Sequence, residues 1–535
     1  MKCTPLNTLA YLIDETANRL PFSVALIDGR GQWTFAELAD ETRRVAGGLR
    51  TLGIHAGDKV GLWLPNIAHY LIVHLACARL GAVSVSLNTR FRASEMGDIL
   101  VRADCKALAL WPSFKGIPFL EILSDIEHDA LVSLQSIITC GHDDTICSLP
   151  DSLSGRRIVT YDALAKSRTT VSDCAHPSDG VVVFTTSGTT AAPKLVLHSH
   201  ESITRHARDV ARFFNWHGSG TALLQVVPFC GTFGHAQAMA ALAAGCQQVL
   251  MPVFSEAESI ELMRKHHITH CNGSDEMFAH MLSGSVETPP FPDFQYGGYA
   301  AFNPMYRDIV AQAEVRGMRL VGLWGMSELQ ALYARQDPAD SVGSRVHMGG
   351  IVVSPEAKIR IRDVQSGRLL SHGETGEIET TGPSQMLGYL GDAQATSSVL
   401  SEDGFVRTGD LGYTESDRRF VFVSRMGDAV RLGGYLVNPA EIEQQLEKHA
   451  IVDRAQVVAV DTDRGTGFFA FVILIEGGQL DQDALLEHCA VGMARFKVPV
   501  GIQAVTDFPV TESANGVKIQ KSRLREIALA QLRGN

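Results

Sequence analysis

Clusters of basic residues are missing from this sequence. Its 535 residues include 47 Lys and Arg but 59 Asp and Glu, which gives a formal net charge of -12 at pH 7. Nucleic-acid binding depends on Lys and Arg side chains that neutralise phosphates. A nucleic-acid partner is therefore not expected.

Long apolar runs are missing as well. No uninterrupted apolar stretch reaches the length that a membrane span needs, and the N-terminal residues MKCTPLNTLAYLIDETANRL lack the apolar segment of a secretory signal. We therefore expect no membrane span and a cytoplasmic location.

Paired cysteines are also missing. The ten Cys are scattered singly without a C-x-x-C pair, which favours reduced thiols over disulfides or a zinc site. His266, His267 and His270 lie close together, but no matching set of Cys, His or Asp accompanies them. We predict a polar edge there rather than a metal site.

The sequence does have the length and composition of a multidomain globular enzyme. At 535 residues it is too long for one compact core, and 45% of the residues are hydrophobic and 20% charged. We expect two or more domains and a large buried core.

The first half of the chain alternates helical and strand-like segments. FAELADETRRVAGGLRTLGI has apolar residues at helical spacing and ends at Gly53, and KVGLWLP then predicts a short strand. HYLIVHLACARLGAVSVSL repeats the same order. This alternation predicts an α/β fold with a mostly parallel sheet covered by helices. From about Glu356, short strands and turns predict a small antiparallel, β-rich segment.

The pattern changes again after the β-rich segment. A glycine-rich stretch is followed by a helix in NPAEIEQQLEKH, strands in AQVVAV and FFAFVIL, and a last helix over residues 480–495. Asn438 suits the N-cap of the first helix, and Glu441 suits the carboxylate of a capping box. We predict an N-terminal domain over residues 1–425 and a small α+β C-terminal domain over residues 426–535.

The stretch VVVFTTSGTTAAPKLV, residues 181–196, joins an apolar run to a row of hydroxyls. Residues 181–184 predict a buried strand that runs into a loop. The loop hydroxyls and backbone N–H groups can converge on a phosphate, because Gly188 lets the chain fold tightly. A Ser/Thr-rich surface turn has a similar composition. The Walker spacing is missing, since only Gly188 precedes Lys194 and no hydroxyl follows it, so an ordinary P-loop NTPase is disfavoured.

Five motifs carry a resemblance to a known family. They are TTSGTTAAPKLV, WGMSE at 324–328, TGD at 408–410, SRMGDAVRLGGYLVNPAEIE at 424–443 and NGVKIQK at 515–521. In this order and spacing they resemble the adenylate-forming superfamily, which includes the acyl- and aryl-CoA synthetases, over nearly the whole chain. The resemblance implies a large N-terminal domain of layered α/β subdomains with a small β-rich segment, and a small, mobile α+β C-terminal domain.

The resemblance implies a ligase reaction in two steps. A carboxylate attacks the α-phosphate of ATP and gives an acyl-adenylate and pyrophosphate. A thiol then displaces AMP and gives a thioester. The implied cofactors are ATP, Mg²⁺ and coenzyme A, the implied partners are a small carboxylic acid and CoA, and the enzyme is expected to be a monomer or a homodimer.

By resemblance, the ATP site of the large domain lies on two motifs. Glu328 matches the acid that holds Mg²⁺, a hard cation suited to carboxylate oxygens. Trp324 takes the place of the family's Tyr beside adenine, where a flat ring can stack, and Gly325 and Ser327 belong to the same motif. The phosphate-binding loop is matched by the following residues, of which Thr189 is also counted as catalytic: Thr185, Thr186, Ser187, Gly188, Thr189, Thr190 and Lys194.

By resemblance, three further elements complete the machinery. Asp410 and Arg425 match the groups that reach the ribose hydroxyls. Lys518 matches the catalytic lysine that the small domain swings in for adenylation, where a cation stabilises developing negative charge. The same domain then rotates and brings Gly433 and Gly434 to the thiol tunnel, where adjacent glycines suit a close approach.

Three segments depart from the family pattern. Ala191 and Leu195 stand where the family usually has Gly, so we expect a stiffer loop backbone and a more apolar neighbouring surface. Gly427 replaces the usual hinge Asp or Lys, which loosens the pivot. NGVKIQK has one extra residue before its first lysine, which leaves Lys521 as the alternative to Lys518.

The acyl pocket is matched by loosely similar segments. They contain no acidic residue that would hold an α-amino group, so we expect an apolar acid that is fatty, aromatic or alicyclic. Gly231 stands where many relatives have a gating His or aromatic residue, and His235 follows four residues later. Gly297 begins a segment that resembles the one between adenine and the acyl group, with a strand end as the alternative. The candidate pocket residues are Phe229, Cys230, Gly231, His235, Gly298, Tyr299 and Met326.

The acceptor thiol is expected to be free CoA, because no carrier domain follows Asn535. A separate carrier protein is the alternative. Three functions stay open, in this order: a carboxylate–CoA ligase, an adenylating enzyme that loads a carrier protein, and a catalytically weak ligand-binding homologue.

Overall fold

The computed structural model of the protein describes residues 7–127, 131–141, 153–185, 193–303, 306–426, 430–432, 435–437, 439–462, 465–493, 497–513 and 516–534. The chain divides into two compact units. The larger unit comprises Met1–Ala300, Asp308–Lys358 and Thr381–Val406, and the smaller comprises Ala301–Arg307, Ile359–Thr380 and Arg407–Asn535. The domain boundary at residue 425 stays a prediction.

The helices and strands of the described residues alternate along much of the chain. In chain order the helices are α1 (Leu9–Arg19), α2 (Phe35–Thr51), α3 (Ala68–Leu80), α4 (Ala93–Ala103), α5 (Phe119–Ser124), α6 (Tyr161–Ala165), α7 (His200–Phe213), α8 (Thr232–Ala244), α9 (Glu256–Lys265), α10 (Asp275–Ser283), α11 (Ile309–Val315), α12 (Val342–Arg345), α13 (Ala393–Val399), α14 (Pro439–Glu447), α15 (Gln482–Gly492) and α16 (Lys521–Gly534). The strands are β1 (Val24–Asp28), β2 (Gly31–Thr34), β3 (Lys59–Trp63), β4 (Val83–Ser86), β5 (Cys105–Leu110), β6 (Ser136–Thr139), β7 (Arg157–Thr160), β8 (Gly180–Thr185), β9 (Leu195–Ser199), β10 (Ala222–Gln225), β11 (Gln247–Leu250), β12 (His270–Ser274), β13 (Tyr296–Ala300), β14 (Leu320–Met326), β15 (Gln330–Arg335), β16 (Gly349–Val352), β17 (Lys358–Arg362), β18 (Gly376–Thr381), β19 (Gly388–Tyr389), β20 (Val406–Ser416), β21 (Arg419–Arg425), β22 (Val430–Leu432), β23 (Tyr435–Val437), β24 (Val452–Thr462), β25 (Gly465–Leu474), β26 (Gly501–Ala504), β27 (Val510–Ser513) and β28 (Gly516–Ile519).

The larger unit is built on two sheets. The first has the strand order β19-β9-β8-β4-β3-β5-β6-β7. Its strands pair in parallel except for β8 with β9 and β9 with β19, which are antiparallel. The second sheet contributes the order β16-β15-β14-β13-β12-β10-β11-β1-β2, in which the run from β14 to β1 is parallel. The mostly parallel α/β arrangement is therefore as predicted.

Strand β8 shows why the apolar run at residues 181–184 becomes a strand. Val182 and Phe184 pack in one hydrophobic cluster, and Val183 packs in a second cluster together with Leu195. Parallel sheets covered by helices bury both faces of their strands, so the sequence is continuously apolar there.

The helix boundaries follow local sequence signals. Helix α2 begins with a capping box in which Thr34 and Glu37 each accept a hydrogen bond from the other's backbone N–H. Helix α3 ends at Gly81, which has a left-handed φ of 71° and so closes the helix before β4. Both helices lie where the alternating pattern predicted them.

The smaller unit contains the β-rich segment and the C-terminal residues. The segment forms four strands in the order β17-β18-β20-β21, as predicted from residue 356 onwards. Burial alone would raise the pKa of Glu379, but hydrogen bonds from Arg362 and Arg360 outweigh burial and lower it. The fully buried carboxylate of Glu379 thus stays ionised between two arginines.

The C-terminal strands β24, β25 and β26 form one sheet with helices on both faces. Helices α14 and α15 contribute to one apolar cluster, which contains Phe468 from β25. Helix α16 contributes Leu524 to a second cluster, which contains Phe469 from the same strand. The prediction that the helix over residues 480–495 is the last one was wrong, because α16 covers the second face of this sheet. Asn438, the predicted N-cap, lies outside the described residues.

Within the part of the chain that the structure describes, no helix is long and apolar enough to cross a membrane. The eight cysteines in this part are free thiols, and seven of them are buried.

Candidate functional site

The end of β8 and the start of β9 flank the predicted phosphate-binding loop. Thr185 ends β8, and its hydroxyl donates to the carbonyl oxygen of Ser86 at 3.3 Å. Lys194 directly precedes β9. Thr186, Ser187, Gly188, Thr189, Thr190 and Ala191 lie outside the described residues, so their phosphate-binding role stays a prediction.

Leu195 does not form the apolar surface that its place after the lysine led us to expect. It is the first residue of β9, it pairs with Thr185, and only 1% of it is exposed. Its side chain belongs to the cluster that contains Val183. The residue faces the core because antiparallel pairing with β8 alternates its side chains between two covered faces.

Lys194 and Glu328 meet at the hydroxyl of Tyr389. Glu328 lies in the turn between β14 and β15, and its Oε1 accepts a hydrogen bond from Tyr389 Oη at 2.7 Å. Lys194 Nζ lies 3.3 Å from the same Oη and 4.6 Å from the centre of the tyrosine ring. Sequence reasoning missed Tyr389, although the segment GYLGD that contains it follows the predicted strand GEIETTG closely.

The hairpin of β14 and β15 positions Glu328. Gly325 has Ala331 so close that a Cβ on Gly325 would lie 2.5 Å from the Ala331 Cα, so only glycine fits there. Trp324 is buried and packs edge to face against Tyr333, with ring centres 5.6 Å apart. Trp324, Gly325, Ser327 and Glu328 all lie on the hairpin of β14 and β15. The adenine contact of Trp324 stays a prediction.

Two buried histidines, one in β9 and one in α7, form hydrogen bonds with the hairpin of β14 and β15. His198 Nε2 donates to the carbonyl oxygen of Ser327 at 2.7 Å, and His206 Nε2 donates to that of Ala331 at 2.7 Å. Burial lowers the pKa of His198 and the pKa of His206 to about 4. Both rings are therefore neutral near pH 7, and each supplies a single N–H to a carbonyl.

Four predicted pocket residues lie in or just before the N-terminal end of α8, namely Phe229, Cys230, Gly231 and His235. Phe229 is buried against Tyr70, whose hydroxyl donates to the Phe229 carbonyl at 3.1 Å. His235 lies with its Nε2 3.1 Å from His74 Nε2 and its ring 5.0 Å from that of Phe184. Burial and neighbouring histidines lower the pKa of His235, so it is neutral. Gly231, the residue before α8, accepts the backbone N–H of His235.

The other predicted pocket residues lie in β13 and β14. A Cβ on Gly298 would lie 2.5 Å from Asn272 Oδ1 and 2.7 Å from a Leu323 methyl group, so there is no room for a side chain at Gly298. Tyr299 is buried, and its hydroxyl donates to the Val346 carbonyl at 2.7 Å. Met326 ends β14. The described contacts do not join this group to Phe229 and His235, and a common pocket stays a prediction.

Asp410 and Arg425 are opposite each other in the smaller unit. They are register partners in the antiparallel pair β20 and β21, and Arg425 Nη1 lies 2.9 Å from Asp410 Oδ1. Arg425 also donates to the Thr408 carbonyl at 3.0 Å. The Asp410 side chain is 5% exposed and that of Arg425 is 57% exposed, so the pair offers an accessible cation backed by a buried carboxylate.

Of the predicted residues in the C-terminal part of the chain, the structure describes Lys518. Lys518 belongs to β28, where it pairs with Thr511 of β27. Gly427, Gly433 and Gly434 lie outside the described residues. The catalytic role of Lys518 and the thiol-tunnel role of the two glycines stay predictions.

Comparisons with known proteins agree with the geometry. Residues 13–390 match the family model described as AMP-binding enzyme, and residues 441–515 match the model described as AMP-binding enzyme C-terminal domain. The chain therefore belongs to the AMP-binding enzymes of the adenylate-forming superfamily, as an acyl-CoA synthetase, and is an AMP-forming acid–thiol ligase. The prediction of family and enzyme class is confirmed.

Two relatives and one solved structure illustrate the similarity. The mitochondrial medium-chain acyl-CoA ligase ACSF2 of Macaca fascicularis is 28% identical over 97% of this chain and 87% of its own. The 3-[(3aS,4S,7aS)-7a-methyl-1,5-dioxo-octahydro-1H-inden-4-yl]propanoyl:CoA ligase of Mycobacterium tuberculosis is 28% identical over 98% of this chain and 99% of its own. The crystal structure of ATP-bound MatB from Rhodopseudomonas palustris has a TM-score of 0.82, with 22% identity over 98% of this chain and 99% of that one. The likeness to that structure confirms the predicted fold class.

Proposed function

We propose that this ligase activates an apolar carboxylic acid with ATP and transfers the acyl group to coenzyme A. In the first step a carboxylate oxygen bonds to the α-phosphorus of ATP and pyrophosphate leaves. In the second step the CoA thiol, which loses its proton, bonds to the carbonyl carbon and AMP leaves. The observation that supports the proposal most strongly is that Lys194 and Glu328 both contact the Tyr389 hydroxyl. This contact places a cation that could bind phosphate next to a carboxylate that could bind a metal ion.

Glu328 fits a magnesium ion by its chemistry. Among the described residues, Tyr389 donates to Oε1 and no hydrogen bond reaches Oε2, so one carboxylate oxygen remains for a hard cation. Bound Mg²⁺ would neutralise charge on the departing pyrophosphate. Lys194 and the hydroxyl loop would hold the β- and γ-phosphates, and Trp324 would stack on adenine.

The smaller unit supplies the remaining proposed groups. Asp410 and Arg425 would bind the ribose, since their pairing places a buried acceptor beside an accessible donor. Lys518 would approach the α-phosphate for adenylation and withdraw before the thiol step. Gly433 and Gly434 would then line the path of the CoA arm. This scheme uses the predicted division into domains 1–425 and 426–535.

An apolar acid suits the proposed pocket residues. Phe229, Gly231, Gly298, Tyr299 and Met326 carry no charge, and the lowered pKa of His235 removes the one cation that the set could provide. A charged group on the acyl chain would therefore lose its hydration without gaining an ion pair. The names of the relatives, a medium-chain acyl-CoA ligase and a ligase of a bicyclic propanoyl group, favour aliphatic and alicyclic acids for the first assays.

The test is pyrophosphate release over a panel of fatty, aromatic and alicyclic acids with ATP and Mg²⁺, with and without CoA. We expect release that depends on one class of acid and is multiplied by CoA. Lys518→Ala and Lys521→Ala are compared in the same assay, and only the first should abolish adenylation. Release limited to one enzyme equivalent despite CoA would identify a carrier protein as acceptor. No release with any acid would contradict the proposal.

A further inference from the structure

We propose that Tyr389 is a positioning residue of the adenylation site, which fixes the Glu328 carboxylate and the Lys194 ammonium relative to each other. The inference rests on the proposed function, since it takes Glu328 as the metal ligand and Lys194 as a phosphate ligand. Tyr389 itself touches neither substrate in this account and acts through its two charged neighbours.

The donor and acceptor roles at the hydroxyl are fixed by its neighbours. A carboxylate only accepts hydrogen bonds and an ammonium group only donates them. The single proton of Tyr389 Oη must therefore point to Glu328 Oε1, 2.7 Å away, and an oxygen lone pair faces Lys194 Nζ, 3.3 Å away. The ring face adds a cation–π contact to the same ammonium, 4.6 Å from its centre.

The backbone of Tyr389 is held at the lysine end of β9. Tyr389 pairs with Val196 in the antiparallel contact of β19 with β9, and the Leu390 N–H donates to the Leu195 carbonyl at 2.8 Å. The Tyr389 N–H donates to Thr396 Oγ1 at 2.8 Å. These backbone hydrogen bonds fix the position of Tyr389, so its hydroxyl can orient the two charged groups.

The chain just before Tyr389 also forms a hydrogen bond with the backbone of the turn that carries Glu328. The Met386 N–H donates to the Glu328 carbonyl at 2.8 Å, three residues before Tyr389. The side chains of Glu328 and Tyr389 are both buried, so water does not replace the hydrogen bond between them. Without the tyrosine hydroxyl, the carboxylate could rotate about its own bonds and present either oxygen to a metal ion.

The test compares ATP affinity with and without magnesium. Calorimetric titration of ATP into the full chain, once with excess Mg²⁺ and once with EDTA, gives a metal increment, defined as the ratio of the two affinities. In Tyr389→Phe, which keeps the ring and removes only the hydroxyl, we expect this ratio to fall by about tenfold or more, the usual cost of losing a partner that orients a metal ligand.

Tyr296→Phe is the matched control. Tyr296 is also a buried tyrosine of the larger unit, and its hydroxyl donates to the Phe214 carbonyl at 2.7 Å. Its removal costs a hydrogen bond of the same length without touching Glu328 or Lys194, so the metal increment should be unchanged. A purely structural role of Tyr389 would make the two variants alike and would overturn the inference.

A double-mutant cycle separates this inference from the proposed function. If Tyr389 acts through Glu328, then Tyr389→Phe should reduce the metal increment no further in a Glu328→Gln background. If the wild type shows a metal increment and Tyr389→Phe shows the same metal increment, only the inference about Tyr389 is overturned. A wild-type chain whose ATP affinity does not depend on Mg²⁺ would overturn the proposed role of Glu328, and the inference with it.

Discussion

The Nε2 atom of His198 lies 2.7 Å from the carbonyl oxygen of Ser327, the residue before Glu328. Because a carbonyl only accepts, this nitrogen carries the ring proton. His198 belongs to β9, the strand that begins directly after Lys194, so the bond links the strand after the predicted phosphate-binding loop to the turn that carries Glu328. His206 makes an equivalent bond to Ala331, farther along the same hairpin.

His198→Leu should impair ATP-dependent pyrophosphate release, because the Ser327 carbonyl loses its buried donor and the Glu328 turn loses an anchor. We expect a rise of about tenfold in KM for MgATP, together with a loss of about 1–3 kcal/mol in the free energy of unfolding. Steady-state kinetics and urea unfolding measure the two effects.

His206→Leu is the control for that variant. It removes a buried donor of the same kind from the same hairpin and should cost a similar free energy of unfolding with little change in KM for MgATP. Equal changes in KM for the two variants would contradict a specific role of His198.

Gly298→Ala should destabilise the larger unit, because the added Cβ would lie 2.5 Å from Asn272 Oδ1 and 2.7 Å from Leu323. We expect a loss of about 1–3 kcal/mol from overpacking. In Gly273→Ala, in the neighbouring strand β12, the Cβ would meet Met277 at 3.5 Å, and the change should stay within about 1 kcal/mol.

Urea unfolding followed by tryptophan fluorescence distinguishes the two glycine variants. All five tryptophans lie in the larger unit, so the signal reports on that unit alone. Equal stability of the two variants would show that the neighbours of Gly298 yield to a methyl group.

Asp410→Asn should weaken ATP binding, because the substitution removes the charge that pairs with Arg425 and that, in the proposed function, accepts hydrogen bonds from the ribose hydroxyls. We expect KM for ATP to rise by about 10- to 100-fold, as for a lost hydrogen bond to a charged group. Asp417→Asn serves as the control, since Asp417 is 98% exposed and its contact with His372 spans 3.5 Å. A KM that stays unchanged in Asp410→Asn would remove Asp410 from the ribose site.

The larger unit should lose stability as the pH falls from about 6.5 towards 4. Burial lowers the pKa of His198 and His206 to about 4 and that of His74 to about 3, whereas the unfolded chain binds these protons near pH 6.5. The unfolded state then holds more protons, so each histidine costs up to about 1.4 kcal/mol per pH unit. Above pH 6.5 these histidines are neutral in both the folded and the unfolded chain, so they no longer make the free energy of unfolding depend on pH.

Tryptophan-monitored urea midpoints at pH 7.5 and pH 5 measure this dependence. The midpoint should be lower at pH 5, and His206→Leu should show a smaller difference between the two pH values than the wild type. Equal differences in both proteins would mean that His206 does not contribute.

Local order could be predicted well from the sequence. The helical spacing that ends at Gly53, the left-handed Gly81 and the apolar run at residues 181–184 have their signals in adjacent residues, and the corresponding helices and strand formed. Helix α16 was missed although Leu524, Ile527 and Ala528 carry helical spacing and the continuously apolar run FFAFVIL indicates a strand with two faces to cover.

The motifs by themselves determined the family and the class of enzyme, and they indicated the candidates Glu328, Asp410 and Arg425, because residue types at fixed spacing within a motif are a local property. Only the tertiary structure decided which groups meet. It buried Leu195 through pairing with β8, placed His198 under the Glu328 turn and brought Tyr389 between Lys194 and Glu328. The pairing of Leu195 joins neighbouring strands, whereas the contacts of His198 and Tyr389 join residues at least 61 positions apart, so no short window of the sequence contains those contacts.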